Sequence, residues 1–358
     1  MSWETLQLGK FLTLKRGYDL PSSQRKEGDI PIVSSSGITG RHSVAKVEGP
    51  GVVTGRYGTL GEVFFINESF WPLNTALYVQ DFKGNDPRFT AYFLKSVLTG
   101  TNSDKAAVPG VNRNDLHARR VRVTRDTGQQ EAIASLLSTY DDLIENNRRR
   151  IQLLEKSARL LYREWFVRLR FPGHEDVKII DGVPEGWEKK TLGELVEIKK
   201  GKNITKDTAN EGDVPVVAGG LTPAYFHDTS NAIGPVITIS ASGANAGYVN
   251  IYHEDIWASD CSYISKKSTD YLYYYFLLLE SKQKEISGLQ RGAAQPHVYP
   301  KDLMGLTVIS PPNRVVRYFG ETISNAFLLI KNLTKQNKSL AKARDLLLPR
   351  LMNGEIAV

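Results

Sequence analysis

Gly28-Asp29-Ile30-Pro31-Ile32-Val33 and Gly212-Asp213-Val214-Pro215-Val216-Val217 are one phrase written twice, 184 residues apart. Working outward, Trp3, Leu8-Gly9 and Lys15-Arg16-Gly17 return as Trp187, Leu192-Gly193 and Lys199-Lys200-Gly201. Downstream, Trp71 matches Trp257, Tyr92-Phe93-Leu94 matches Tyr275-Phe276-Leu277, and Ala106-Ala107-Val108-Pro109 matches Ala293-Ala294-Gln295-Pro296. A repeat of this length makes the chain a tandem duplication, with loops that drift while the scaffold is kept. Two copies of one unit suit a partner with two similar half-sites.

Short apolar runs, Ile30 to Val33, Gly51 to Thr54, Val63 to Ile66 and Ala76 to Val79, are separated by Gly, Pro, Asn and Ser, the pattern of strands joined by turns. Pro87 to Leu98 reads as one packed helix, matched in the second copy by Asp270 to Glu285. Each copy is therefore a mixed α/β unit.

From Gly128 the period changes. Ile133, Leu137, Tyr140, Ile144, Asn147, Ile151, Leu154, Ala158, Leu161 and Trp165 are spaced alternately four and three apart, the seam of a coiled-coil helix ended by Pro172-Gly173. Ile323, Ala326, Ile330, Leu333, Asn337, Leu340, Arg344, Leu347 and Leu351 make a second seam. Asn147 and Asn337 are polar residues at seam positions, which fix register at a cost in stability. The expected organisation is globular unit 1–128, central helix 129–170, globular unit 171–312 and C-terminal helix 313–358. The fold class is α+β, with two mixed units separated by two long antiparallel helices in a pseudo-two-fold arrangement.

With 358 residues, 41% hydrophobic and 24% charged, the chain can bury two cores. A formal net charge of +7 favours a polyanionic partner. Cys261, the sole cysteine, excludes an internal disulfide and cysteine-built metal sites, and a reducing cytoplasm is the expected compartment. The longest greasy run, Tyr271 to Leu279, is far short of a membrane span.

Catalytic patterns are missing. The six histidines show no metal-ligand spacing, there is no nucleophile elbow, and Gly55 to Gly61 lacks the Lys-Ser/Thr ending of a phosphate loop. Ser310-Pro311-Pro312-Asn313 reads as a strand end leading into a helix. The loops instead offer cations for phosphates and planar or hydroxyl groups for base edges. In the first copy the candidates are Lys15, Arg16, Ser36, Thr39, Arg41, Arg56, Tyr57, Thr59, Asn112 and Arg113. In the second they are Lys199, Lys200, Lys202, Asn203, Thr222, Tyr225, Ser242, Asn245, Arg291, Gln295 and His297. The basic pairs before Gly17 and Gly201 stand out as phosphate contacts, because a glycine lets backbone approach closely.

The Trp-to-Leu-Gly opening, the Gly-Asp-Ile/Val-Pro strand, the phrase Leu160-Leu161-Tyr162-Arg163-Glu164-Trp165-Phe166-Val167 and the following Phe171-Pro172-Gly173-His174 resemble the specificity subunits of Type I restriction-modification enzymes, over the whole chain. The resemblance implies a noncatalytic protein whose two target recognition domains read the halves of an asymmetric, bipartite site in double-stranded DNA, with the helices as ruler. It implies two modification subunits that bring S-adenosylmethionine and methylate adenine, and two restriction subunits that use ATP and Mg. It implies no cofactor or metal in this chain and no membrane association. Val108 stands where the family often shows the glutamine found at Gln295, which moves the expected base contacts of the first copy to Asn112 and Arg113. A coiled-coil adaptor whose loops bind protein is the alternative reading.

Overall fold

The computed structural model describes residues 3–56, 61–98, 112–292 and 295–358. The chain divides into two compact units, Met1–Asn146 with Gln336–Val358, and Asn147–Lys335. Each unit thus holds one globular copy together with a segment of both long helices.

In the first unit, an antiparallel sheet runs in the order Thr13–Arg16, Ala76–Asp81, Gly51–Gly55, Val63–Ile66. A three-stranded sheet has Ile30–Ser34 at its centre, antiparallel to Gly37–His42 and parallel to Trp71–Pro72. Trp3–Gln7 pairs with Arg120–Thr124. The second unit repeats this strand for strand. Lys199–Lys200, Cys261–Ser265, Val236–Ser240 and Val249–Tyr252 form its larger sheet, and Val214–Val217 lies between Tyr225–His227 and Trp257–Ala258. Glu188–Thr191 pairs with Thr307–Ser310. The duplication read from the sequence is therefore a duplication of topology.

The repeated Gly-Asp-Ile/Val-Pro phrase has a physical reason at each end. A Cβ on Gly28 would lie 2.5 Å from Ser43 Cα, and one on Gly212 2.3 Å from the His227 carbonyl oxygen. Only glycine lets the returning strand pass that close. Proline lacks an N–H, yet Pro31 and Pro215 sit in central strands, because the parallel pairing on the other side starts one residue later, at Ile32 with Trp71 and at Val216 with Trp257.

Pro87–Leu98 is a helix with Phe89, Phe93 and Leu94 in the core of the first unit. The matching segment of the second unit is broken at Lys282 into Leu272–Ser281 and Gln283–Ser287. The expected single helix over Asp270 to Glu285 ends early there because Gln283 turns its side chain onto the neighbouring strand: Oε1 accepts from the Val249 N–H at 3.0 Å and Nε2 donates to the Gly247 carbonyl at 2.8 Å.

The central helix spans Thr127–Tyr162 and continues as a wider turn over Arg163–Val167. It stops before Pro172: Leu169 takes a left-handed φ of 59° and turns the chain away. The C-terminal helix spans Asn313–Met352. Every seam residue of both helices is buried or half-buried. In the first unit the two segments run in opposite directions, since Asp141 pairs with Arg344 whereas Ile144, further along, meets Asn337. The Asn337 amide donates to the Ile144 carbonyl at 3.4 Å. A seam asparagine bonded to the facing backbone has a preferred axial position, which is how such a residue sets register.

Candidate nucleic-acid interface

In the first unit, the strand Thr13–Arg16 and the turn at Asn74 bring part of the basic set together. Arg16 Nε donates to the Asn74 carbonyl at 3.4 Å, Asn74 N–H donates to the Tyr18 carbonyl, and Arg56 N–H donates to the Thr75 carbonyl. Lys15, Arg16 and Arg56 therefore flank one turn. The ammonium of Lys15 lies 5.7 Å from the centre of the Tyr18 ring, and Tyr18 shares a 3.0 Å hydroxyl hydrogen bond with Tyr78. Lys46, 5.0 Å over the Trp71 ring, joins the group. Neither Lys46 nor Tyr18 was among the sequence candidates. Both sit beside repeat landmarks, one following the strand hairpin and the other following Lys-Arg-Gly.

Gly17 serves the fold and not an incoming ligand: its Cβ would fall 2.2 Å from the Leu73 carbonyl oxygen, and that of Gly201 2.1 Å from Ser259. The close approach expected at both glycines is made by the protein's own backbone.

The other candidates of this unit are elsewhere. Ser36 is in the turn of the hairpin formed by Ile30–Ser34 and Gly37–His42, with its hydroxyl 3.0 Å from that of Ser34. Thr39 and Arg41 are exposed on the outer strand, and the Arg41 guanidinium reaches back to the Asp29 carbonyl. Asn112 caps the helix Arg113–Ala118, accepting from the Asn114 N–H at 2.9 Å, so its side-chain carbonyl is already engaged. Arg113 is exposed in the first turn of that helix. Tyr57 and Thr59 lie outside the described residues, as do Ala106 to Pro109.

In the second unit the candidates form two groups. Lys199 and Lys200 make a short strand, with Lys199 paired to Glu197 at 3.3 Å. Beside it, the Lys202 carbonyl accepts from Trp257 Nε1 at 2.8 Å, and the Tyr225 hydroxyl donates to the Ile204 carbonyl at 2.5 Å. Those bonds fold Lys202-Asn203-Ile204 against the smaller sheet, leaving Lys200, Lys202 and Asn203 exposed. The second group is built by backbone: Arg291 and His297 exchange two hydrogen bonds of 2.9 Å, and the Gly243 N–H donates to the Pro296 carbonyl. Ser242, Arg291, Gln295 and His297 thereby share one hairpin neighbourhood. Inside it, Ser242 Oγ donates to the Asp260 carboxylate, Arg291 pairs with Asp302 at 2.6 Å, and the His297 ring stacks on Tyr299. Asn245 lies on the same turn as Ser242, and Thr222 sits on a separate loop.

Both units carry one further matched device that composition concealed. His42 and His227 are buried, each accepting a backbone N–H at Nδ1, from Lys26 at 3.0 Å and from Asn210 at 3.1 Å. Each ring meets its tryptophan edge-on, at 5.2 Å for Trp71 and 4.9 Å for Trp257. Two of the six histidines thus act as structural pins of the smaller sheets. Among the described residues, no three His, Cys, Asp or Glu side chains are placed to hold a metal ion, and no helix is long and apolar enough to cross a membrane.

The model of the Type I restriction modification DNA specificity domain matches this chain twice, over residues 1–156 and 184–341. The MjaIX specificity subunit of a Type I restriction enzyme from Methanocaldococcus jannaschii is 29% identical over 259 residues, a match covering 64% of this chain and 59% of that relative's length. The MjaVIII specificity subunit from the same organism is 22% identical over 405 residues, covering 99% of this chain and 93% of the relative. Among solved structures, the S subunit of a Type I restriction-modification system from M. genitalium superposes with a TM-score of 0.65 at 20% identity, covering 98% of this chain and 96% of that one. That likeness is one of fold.

Proposed function

The chain belongs to the Type I restriction modification DNA specificity family, and from that premise we propose that it is the DNA-reading subunit of a Type I restriction-modification assembly. Each unit reads one half of an asymmetric, bipartite duplex site, and the two long helices set the gap between the halves. The observation that carries this reading is the double match of the specificity domain, one to each half of a chain whose halves repeat the same strand order. Frame residues agree between the copies while loop residues differ, as two related modules reading two different sequences require.

The chemistry belongs to partners in this reading. Two modification subunits bring S-adenosylmethionine and methylate adenine, and two restriction subunits use ATP and Mg to cut in the cytoplasm. This chain supplies position alone. Cations such as Lys15, Arg16, Lys199 and Lys200 hold phosphates, which fixes orientation without reading sequence. Arg56 and Arg113 in one unit, and Ser242, Arg291, Gln295 and His297 in the other, face the bases.

Mapping methylated adenines in a host with and without this chain tests the proposal. The expected result is a chain-dependent motif of two short fixed sequences around a constant gap. Methylation whose pattern is the same without the chain would sink it.

A further inference from the structure

We propose that Tyr18, Lys15 and Lys46 form a phosphate clamp for the duplex backbone, present in the first unit and absent from the second. It deepens, and rests on, the reading of the chain as a DNA-binding subunit.

The geometry comes first. The Tyr18 hydroxyl lies 3.0 Å from that of Tyr78, which is almost fully buried. A buried hydroxyl needs a partner for its proton, so Tyr78 donates and Tyr18 accepts. The Tyr18 proton is then not used by Tyr78 and is available to a ligand from a half-buried residue. Lys15, from the neighbouring strand, lies 5.7 Å from the ring centre. Lys46 is held by its own packing, 5.0 Å over the Trp71 ring, and Tyr18 packs against the same small apolar cluster as Trp71. One hydroxyl donor and two ammonium groups thus lie around one cluster of rings, and the adjacent Asp19 carboxylate is taken up by the Asn74 amide. Three donor groups with two positive charges suit the non-bridging oxygens of a phosphate.

Titration behaviour agrees. The Tyr18 hydroxyl is held below its ordinary range, first by the hydrogen bond from Tyr78 and then by the two lysines, whereas burial pushes Tyr78 up.

The second unit shows what the same frame looks like without the clamp. Lys15 and Tyr78 face each other across the sheet as Lys199 and Tyr263 do. At the place of Tyr18, after the glycine, stands Lys202. At the place of Lys46 stands Asn231: both donate their N–H to the residue before the parallel strand, Phe70 and Ile256. Both ends of the Asn231 amide are committed to Ala258, at 2.9 Å and 2.6 Å. The hydroxyl and the second flanking lysine are therefore missing.

The test uses the full chain assembled with its modification subunits and two fluorescein-labelled duplexes, one of random sequence and one enriched from a randomised pool. Lys46→Met keeps the aliphatic cover over Trp71 and removes the charge, and Tyr18→Phe keeps the ring and removes the donor. Lys46→Met is expected to weaken both duplexes by the same factor and to reduce the salt dependence of binding by about 0.9 in log–log slope. Tyr18→Phe is expected to weaken both equally, about threefold to tenfold, with the slope unchanged. Wild-type assembly that binds DNA while neither variant alters affinity or slope overturns the clamp and leaves the functional reading standing. A change in the enriched sequence, in place of uniform weakening, overturns the phosphate assignment by making these residues base contacts. Wild-type assembly that binds neither duplex overturns the functional reading, and the clamp with it.

Discussion

The two units repeat each other in their sheets and differ in how they grip the long helices. In the first unit, apolar packing of Ile133, Leu137 and Leu351 is joined by a buried polar network. Gln130, fully buried near the start of the central helix, donates to Asn85 Oδ1 and to the Thr124 carbonyl and accepts from the Asp86 N–H, all at 2.8 Å. Further along, Asp141 takes the Tyr92 hydroxyl at 2.5 Å and the Arg344 guanidinium. In the second unit an aromatic cluster dominates, beside an ion pair from Arg159 to Glu280 at 2.8 Å. Tyr162, Trp165 and Phe166 surround Phe319, with ring centres 4.9 to 6.0 Å apart, and Tyr273 stacks on Phe327 at 4.0 Å. Duplication preserved what the backbone geometry demands and left the helix contacts free to diverge. Polar networks are directional and fail when one member is lost, whereas an aromatic cluster spreads its stabilisation over many dispersion contacts.

The largest way to break this contrast is Phe319→Ala. The side chain is completely buried among four other rings, and its removal leaves a cavity worth about 3–5 kcal/mol. Hydrogen exchange read by mass spectrometry should show protection falling in Asn147–Lys335 and unchanged in Gln336–Val358. Equal loss in both would mean that the units do not grip the helices separately. Next in size is Gln130→Leu, which keeps the volume and orphans three buried groups at about 1 kcal/mol or more each. Protection should fall by about 3 kcal/mol around Asn85, Thr124 and the start of the central helix, and an effect below about 1 kcal/mol would remove the network from the account.

How much of this was open to reading depended on whether the signal was periodic or pairwise. Pro87–Leu98 and Val63–Ile66 match the structure end for end, because apolar spacing and flanking turn residues declare them. The seams were legible for the same reason, including the polar position Asn337, whose bond to the Ile144 carbonyl only the structure supplies. What was hidden was pairwise and non-local. Nothing near Gln130 announces Asn85, and nothing in Lys-Arg-Gly says that the glycine faces Leu73 and not a ligand. Lys46 escaped because a lone lysine between strands has no pattern. Asn112 looked like a base reader by composition, and its helix-capping bond is visible only once the helix start is placed.

The smallest expected effect sharpens the comparison through two histidines with opposite fortunes. In the first unit His117 is held below its usual range by burial and by the nearby Arg113 and Lys83 charges, and its Nε2 accepts the Leu14 N–H at 2.9 Å. In the second unit His253 is pushed down to about 4, by burial first and Lys331 second, and its buried Nδ1 has no hydrogen-bond partner. The folded protein therefore holds His253 neutral at a pH where the unfolded chain, with an ordinary histidine near 6.5, takes up a proton. The unfolded state binds more protons across that window, so stability rises with pH there. Its contribution is present above about 6.5 and is lost as pH falls toward 4, amounting to about 1 kcal/mol between pH 6.5 and 5.5. His253→Phe, which keeps a ring beside the stacked pair Tyr273 and Phe327, should flatten that part of the acid slope for the second unit in urea titrations followed by hydrogen exchange. The first unit should keep its slope, because His117 is untouched. A variant whose second unit still loses about 1 kcal/mol over that interval would assign the acid sensitivity to carboxylates and not to His253, and the histidines would no longer distinguish the copies.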